Sequence, residues 1–339
     1  MEDPDKFMVR GQDGDAINLA AGEPYFLHKH LSWLVGGMRE LREIFPPYPN
    51  YAGQPELLKE LRLRHPGNEI VVCNGAKQAL LAAIYALKER AQHGIHKMYH
   101  RAPHWPTFPT LAKLSSLSFS NDSADCTCGA PQISIMTSPN NPDSWTTPAL
   151  SHSSILDCVY AHPVYGHEGP LSDHQISVWS GAKLFGVSGL RVGWLATENK
   201  ELAKYAADYV EKTTSGVCSE AQGRVADILY LSRQESQLVS ESYAKARVDL
   251  LENGRLFTKY IGPHCRHVQG LPATDKGMFS YFNVLEPRVF DAACKETKVL
   301  LVPGSACGAT EDGWYRMSLG MEPKVLDGHL KKLAGALHG

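Results

Sequence analysis

Past residue 68 the apolar positions follow two periods. "EIVVC" (69–73) is a continuous apolar run of strand length. "AKQALLAAIYALKERA" (76–91) repeats its apolar residues every three to four positions and predicts a helix. "HKMYHRA" predicts a strand and "PTLAKL" a short helix. "QISIMT" (132–137), "SILDCVY" (154–160), "ISVWS" (176–180) and "RVGWLAT" (191–197) predict further strands. Short apolar strands alternating with helices predict an α/β domain on a mostly parallel sheet, here of seven strands flanked by helices. "SFSNDSADCTCGAPQ" (118–132) has no such period and is expected to be a polar surface loop.

The pattern changes after residue 198. Three long helical stretches follow, and the last, about 236–260, is expected to join two lobes. Strand-like "MFSYFNV", "KVLLVPG" and "WYRMSLG" then mix with helices, which predicts a smaller α+β domain. The stretch up to about residue 45 is expected to pack with it. The expected division is therefore a large domain at 46–235 and a small domain formed by 1–45 and 236–339.

Composition adds exclusions. The chain has 339 residues, 43% hydrophobic and 21% charged, with a net charge of −2. No strong field is expected, so nucleic acid and anionic membranes are poor partners. The longest apolar run, Ala79 to Leu87, falls far short of the roughly 20 residues that a membrane span needs. The opening "MEDPDKFMVR" has no apolar signal core, so a cytoplasmic protein is expected. Eight scattered cysteines, several in apolar strand-like runs, fit a reduced compartment. "CTC" near 126 and "HCRH" near 265 lack a second ligand pair at zinc spacing, so no metal is expected.

The candidate chemistry lies where strands end. "NGAKQAL" (74–80) puts Gly75 between a strand and a helix, freeing backbone N–H groups for a phosphate, although such turns without ligands are common. "TSPNNPDS" (137–144) places Asn141 in a turn after an apolar run. Asp157 ends an apolar strand, where a carboxylate is costly unless paired, and Tyr160 follows three residues on. "SGAKLFGVSGLRVGW" (180–194) carries Ser180, Lys183 and Arg191 among four glycines. Singly, each has an ordinary reading, since most lysines are solvated and a strand-end Asp often caps a helix. Together they set a phosphate turn, an acid, a hydroxyl and a lysine on one sheet edge. A cofactor with a phosphate, a basic ring nitrogen, a phenolic oxygen and an aldehyde uses all four, and pyridoxal 5'-phosphate is such a cofactor.

The order of a Gly-rich turn, an aromatic, Asn-Pro, Asp-x-x-Tyr, Ser-x-x-Lys and Arg eight residues later resembles the fold-type I pyridoxal-phosphate enzymes of the aspartate aminotransferase superfamily. "TSPNNPD", "DCVYAHPVY" and "GVCSEAQGR" resemble the alliinase and tryptophan aminotransferase-related family within it. The resemblance implies that Lys183 bonds to the cofactor aldehyde and then serves as acid and base. It implies that Asp157 pairs with the ring nitrogen, that Tyr160 and Asn141 bond the phenolic oxygen, and that Trp105 of "APHWPTF" stacks on the ring. Trp105 between prolines also reads as plain core. The phosphate falls to the backbone of Ala76 and Lys77 with Ser180 and Arg191. Arg316 of "WYRMSLG" and the backbone of Gly22 are implied to hold the substrate carboxylate, with Asn141 beside them. An edge-strand surface arginine is the plain reading of Arg316.

Tyr48 is implied to reach the phosphate of a neighbouring chain, and hence a homodimer is expected, with Tyr51 as the fallback. A second serine, frequent in the family just before the lysine, is Ala182 here. The resemblance also implies a chain without the N-terminal EGF-like module of plant alliinases. The expected activity is an aminotransferase that moves the amino group of an L-amino acid to a 2-oxo acid. Tyr25, Phe26, His28 and Tyr165 as a side-chain pocket favour an aromatic or large apolar donor such as tryptophan. A C–S or other β-eliminating lyase is the alternative, and a non-catalytic binding module a third.

Overall fold

A computed structural model describes residues 17–36, 48–122, 132–146, 153–167 and 174–338. The chain opens with β1 (Ile17–Asn18) and α1 (His28–Gly36), then α2 (Pro55–Arg64). The α/β part follows as β2 (Glu69–Cys73), α3 (Gly75–Arg90), β3 (Lys97–Tyr99), α4 (Phe108–Leu114), β4 (Ser118–Ser120), β5 (Gln132–Thr137) and β6 (Ser153–Asp157). It closes with β7 (His174–Ser180), the short α5 (Gly181–Leu184) and β8 (Gly193–Thr197). These strands form one seven-stranded sheet in the order β2-β8-β7-β6-β5-β3-β4. All neighbours are parallel except β8, which runs antiparallel to both β2 and β7.

Burial on both faces explains the apolar runs. β8 is buried along its whole length and β2 everywhere but Glu69. α3 packs on β2, β7 and β8 together with α6 (Lys200–Thr214). α3 has no acid in its first turn and ends on Lys88 and Arg90, so its dipole is complemented at the C-terminus and left open to an anion at the N-terminus.

β4 departs from the expected polar loop at 118–132. Its three residues pair in parallel with β3, Lys97 against Ser118. Only Phe119 is apolar there, and it packs edge-on against His104 at 4.9 Å. A three-residue edge strand with one inward residue leaves no periodic signal. Residues 123–131 of that loop, with Cys126 and Cys128, lie outside the described residues.

α7 (Ser219–Gln234) leads into α8 (Ser236–Tyr260), a single helix of 25 residues. A four-stranded antiparallel sheet follows in the order β12-β13-β10-β9. Its strands are β9 (Cys265–Gly270), β10 (Phe279–Val284), β12 (Val302–Pro303) and β13 (Trp314–Ser318). The "HCRH" stretch runs into β9, so backbone pairing accounts for it. α9 (Pro287–Thr297), β11 (Val299–Leu300) and α10 (Pro323–His338) complete this part. β1 pairs with β11, and α8 packs on α1 and α10, which ties residues 17–36 to the C-terminal elements. Residues 37–45, expected to pack there too, lie outside the described residues. Among the described residues no helix is long and apolar enough to cross a membrane, and no group of three His, Cys, Asp or Glu is placed to hold a metal.

Candidate active site

Register brings the strand ends together. Cys73 of β2 lies opposite Gly193, and Gly193 opposite Ser180 of β7. Asp157 of β6 lies opposite Val178 on one side and Thr137 of β5 on the other. The residues that follow these ends therefore share one edge of the sheet, where ligands bind in open α/β folds. A cleft of about 190 Å³ opens there. Gly22, Ala76, Lys77, Trp105, Asn141, Asp157, Tyr160, Ser180, Lys183, Arg191 and Arg316 line it.

One end of the cleft is an anion cradle. Gly75 opens α3 at φ +75°, and a Cβ on it would lie 2.5 Å from Arg191 Nη2. Only glycine lets the guanidinium approach this turn. Arg191 itself sits at φ +53° after the turn Ser188–Leu190, and its Nη1 donates to the Ser188 carbonyl at 3.0 Å. Ser180 caps α5, its Oγ accepting from Ala182 N at 3.1 Å. Ala182, where the resemblance implied a second serine, contributes its backbone N–H to this cap. Gly193 is equally constrained, since a Cβ there would lie 2.6 Å from the Gly75 carbonyl carbon and 2.8 Å from Ala76 N.

The middle is polar and buried. Asp157 is 4% exposed, and among the described residues its carboxylate accepts one hydrogen bond, from Val159 N at 3.2 Å. No basic side chain among the described residues forms an ion pair with it. Burial pushes its carboxyl up to about 7, against the pull of the Val159 N–H. Burial also raises the Tyr160 hydroxyl, while Arg316 and a hydrogen bond with Asn141 work the other way. Trp105 is partly buried at the cleft, edge-on to Phe108 at 5.5 Å, with Lys77 Nζ 5.6 Å above its ring.

Lys183 points at the far wall, its Nζ donating to the Gly22 carbonyl. Burial lowers its ammonium pKa, with Arg191 and Arg316 adding to this and Glu23 opposing it. Tyr165 steadies the same turn, its hydroxyl donating to the Lys183 carbonyl at 2.7 Å. Arg316, 1% exposed on β13, is no surface arginine. Nη1 donates to Asn141 Oδ1 at 2.9 Å and Nη2 to the Ala20 carbonyl at 2.6 Å, with the guanidinium 4.7 Å over Phe279.

Not every expected residue arrives. Tyr25 is 38% exposed and stacks edge-on with His28, outside the cleft. The 3-10 turn Tyr25–Leu27 sends Phe26 and Leu27 into the core and Tyr25 outward, so the expected side-chain pocket of Tyr25, Phe26, His28 and Tyr165 does not form. Tyr48 is 89% exposed and does not line the cleft of its own chain, and Tyr51 is exposed as well. In place of the expected pocket, Glu23, Leu80, Thr137, Val159, Ser188 and Phe279 line the cleft. Each adjoins a motif residue in sequence or register, but nothing in residue type marked them.

These features fit pyridoxal phosphate. The cradle supplies N–H, hydroxyl and guanidinium donors for a phosphate, and Asp157 lacks the cation that a protonated ring nitrogen provides. Fold and site together define a fold-type I pyridoxal-phosphate enzyme. A model of the allinase family matches residues 64–252, and the chain belongs to that family. It is 31% identical over 245 residues to tryptophan aminotransferase-related protein 2 of Arabidopsis thaliana, covering 65% of this chain and 56% of that protein. It is 28% identical to alliin lyase of Allium cepa var. aggregatum over 64% of this chain and 54% of that protein. The chain thus spans about half the length of these curated relatives. A mutant aspartate aminotransferase of Thermus thermophilus shares the fold, with a TM-score of 0.75 at 19% identity over 98% of this chain and 94% of that one.

Proposed function

We propose that the protein is an aminotransferase that takes an aromatic or large apolar L-amino acid and passes its amino group to a 2-oxo acid. Arg316 carries the amino-acid part of this reading, and Leu80, Val159 and Phe279 on the cleft wall, not the expected aromatic pocket, favour a large apolar side chain. Arg316 is buried at the cleft wall on β13 and held by Asn141 and the Ala20 carbonyl, beside the segment whose Gly22 carbonyl accepts from Lys183. A guanidinium fixed in this way grips a carboxylate bidentately. With the carboxylate held there, the Cα–H bond of the amino acid faces Lys183.

Bound pyridoxal phosphate supplies an aldehyde and an electron-withdrawing ring. The chain supplies the rest. With the cofactor bound, Asp157 would hold a proton on its ring nitrogen and Trp105 would lie against its ring. Arg191, Ser180 and the N–H groups of Ala76 and Lys77 would hold its phosphate. Lys183 Nζ, with its pKa lowered by burial, is the base that takes the Cα proton. Two chains are proposed to pair, each lending Tyr48 to the other's phosphate.

The test is a screen of amino donors against pyruvate and 2-oxoglutarate. Tryptophan and other large neutral donors are expected to lead, and a strong preference for aspartate would refute the substrate class. Borohydride reduction of the loaded protein is expected to fix the cofactor on the peptide that carries Lys183. The allinase family match favours a second reading, β-elimination. Pyruvate and ammonia released from a cysteine conjugate with no 2-oxo acid present would replace the first reading with it.

A further inference from the structure

The cofactor and the α-carboxylate account for most of the polar groups in the cleft. Glu23 is left over. It lines the cleft half-buried, and its Oε2 accepts from Ser188 Oγ at 2.7 Å. No cation among the described residues forms an ion pair with it, and its Oε1 accepts no hydrogen bond there. Of the charges acting on Lys183 it is the largest, and it works against burial.

Its place is fixed by backbone. Ser318 N donates to the Leu19 carbonyl at 2.6 Å, and Arg316 Nη2 donates to Ala20, so residues 19–23 run beside β13. Phe26 N donates to the Gly320 carbonyl at 3.0 Å. A Cβ on Gly320 would lie 2.2 Å from the Glu23 carbonyl oxygen, so the two backbones are in contact. Glu23 and Phe279 therefore share one cleft with Arg316 and Lys183, within reach of the side chain of an amino acid held by Arg316 with its Cα at Lys183.

We infer that Glu23 sets the side-chain selectivity of the site, excluding amino acids with a second carboxylate and selecting a ring that carries an N–H donor, such as an indole. A fixed carboxylate repels a like charge at this range, and it loses its hydration without return unless the ligand donates a hydrogen bond to it. The flanking Phe279 favours a flat ring over a hydrated ammonium. The inference rests on the substrate reading above, in particular on Arg316 as the carboxylate clamp.

Binding of two unreactive acids to the loaded protein, followed by calorimetry, separates the two claims. Succinate carries a second carboxylate, and indole-3-propionate carries an N–H ring. The wild-type protein is expected to bind indole-3-propionate at least about tenfold more tightly than succinate. Glu23→Gln should tighten succinate by about tenfold and change indole-3-propionate by less than about threefold, and Glu23→Asp should restore the discrimination. Succinate affinity unchanged in Glu23→Gln, or both ligands shifting together, would overturn the inference and leave the Arg316 clamp standing. Failure of the wild type to bind either acid would overturn the clamp, and the inference with it.

Discussion

A carboxylate as buried as Asp157, with one N–H for company, is costly in its charged form. Its folded pKa of about 7 lies above the ordinary 3.8, so from about pH 4 to 7 the native chain keeps a proton that the unfolded chain has released. The stability it contributes is full below that window and is lost as pH rises through it, by up to about 4 kcal/mol. His65, His100 and His162 act in the opposite sense. Burial lowers them to about 4, 3 and 3, so stability from their neutral forms is present at neutral pH and lost as pH falls. Asp157 is therefore isolated by difference. In urea melts of cofactor-free protein, Asp157→Asn should gain on wild type by up to about 4 kcal/mol between pH 4 and 7. A flat difference would remove the argument. The same variant should lose about a hundredfold or more in transamination, because Asn cannot hold the ring nitrogen protonated.

At the scale of elements, the cradle depends on three backbone segments meeting: the end of β2, the turn into α3 and the start of β8. Gly193→Ala drives a Cβ into Gly75 and Ala76 backbone, and backbone cannot swing aside as a side chain can. It should cost about 1–3 kcal/mol and weaken pyridoxal-phosphate binding by tenfold or more in a spectral titration. Gly189→Ala, with nothing within 4 Å of its added Cβ, is the control and should change neither. Equal effects of the two would show that turn flexibility, not close approach, is what matters. The same contrast explains what the sequence disclosed. β2, β6 and β7 bury most of their apolar runs and α3 buries one face, so their periods are plain, and Gly75, Asp157, Ser180 and Lys183 lie at or just past their ends. β4 half-buries one apolar side chain, Phe119, and left no pattern. The substrate wall was illegible for another reason. Glu23, Thr137, Ser188 and Phe279 come from four separated segments, and only the register of two sheets makes them neighbours. Tyr25 was misplaced because a single 3-10 turn decides which of two adjacent aromatics faces inward.

On the scale of the whole molecule, Tyr48 lies outside the cleft of its own chain among the described residues. It is 89% exposed, yet the backbone after it is pinned. Gly53 N donates to the Asn50 carbonyl at 2.9 Å, Ala52 N to Asn50 Oδ1 at 2.9 Å, and Pro49 packs closely on Gly216. An exposed aromatic ring on a fixed turn is free to meet a second molecule, which makes the proposed pairing testable. If that molecule is another copy, a two-fold axis gives each site one foreign Tyr48. Sedimentation should then show a dimer, and Tyr48→Ala should raise the dissociation constant for pyridoxal phosphate by roughly tenfold, the order expected for one lost hydrogen bond to a charged group. The stricter check mixes two impaired proteins. Lys183→Ala keeps its tyrosine, and Tyr48→Ala keeps its lysine, so in a mixed dimer one of the two sites has both. Unfolding and refolding an equal mixture at limiting cofactor should restore roughly a quarter of wild-type activity by random pairing. Activity no higher than the average of the two parents would mean that Tyr48 serves no neighbouring site, and the protein would then hold its cofactor with its own residues alone.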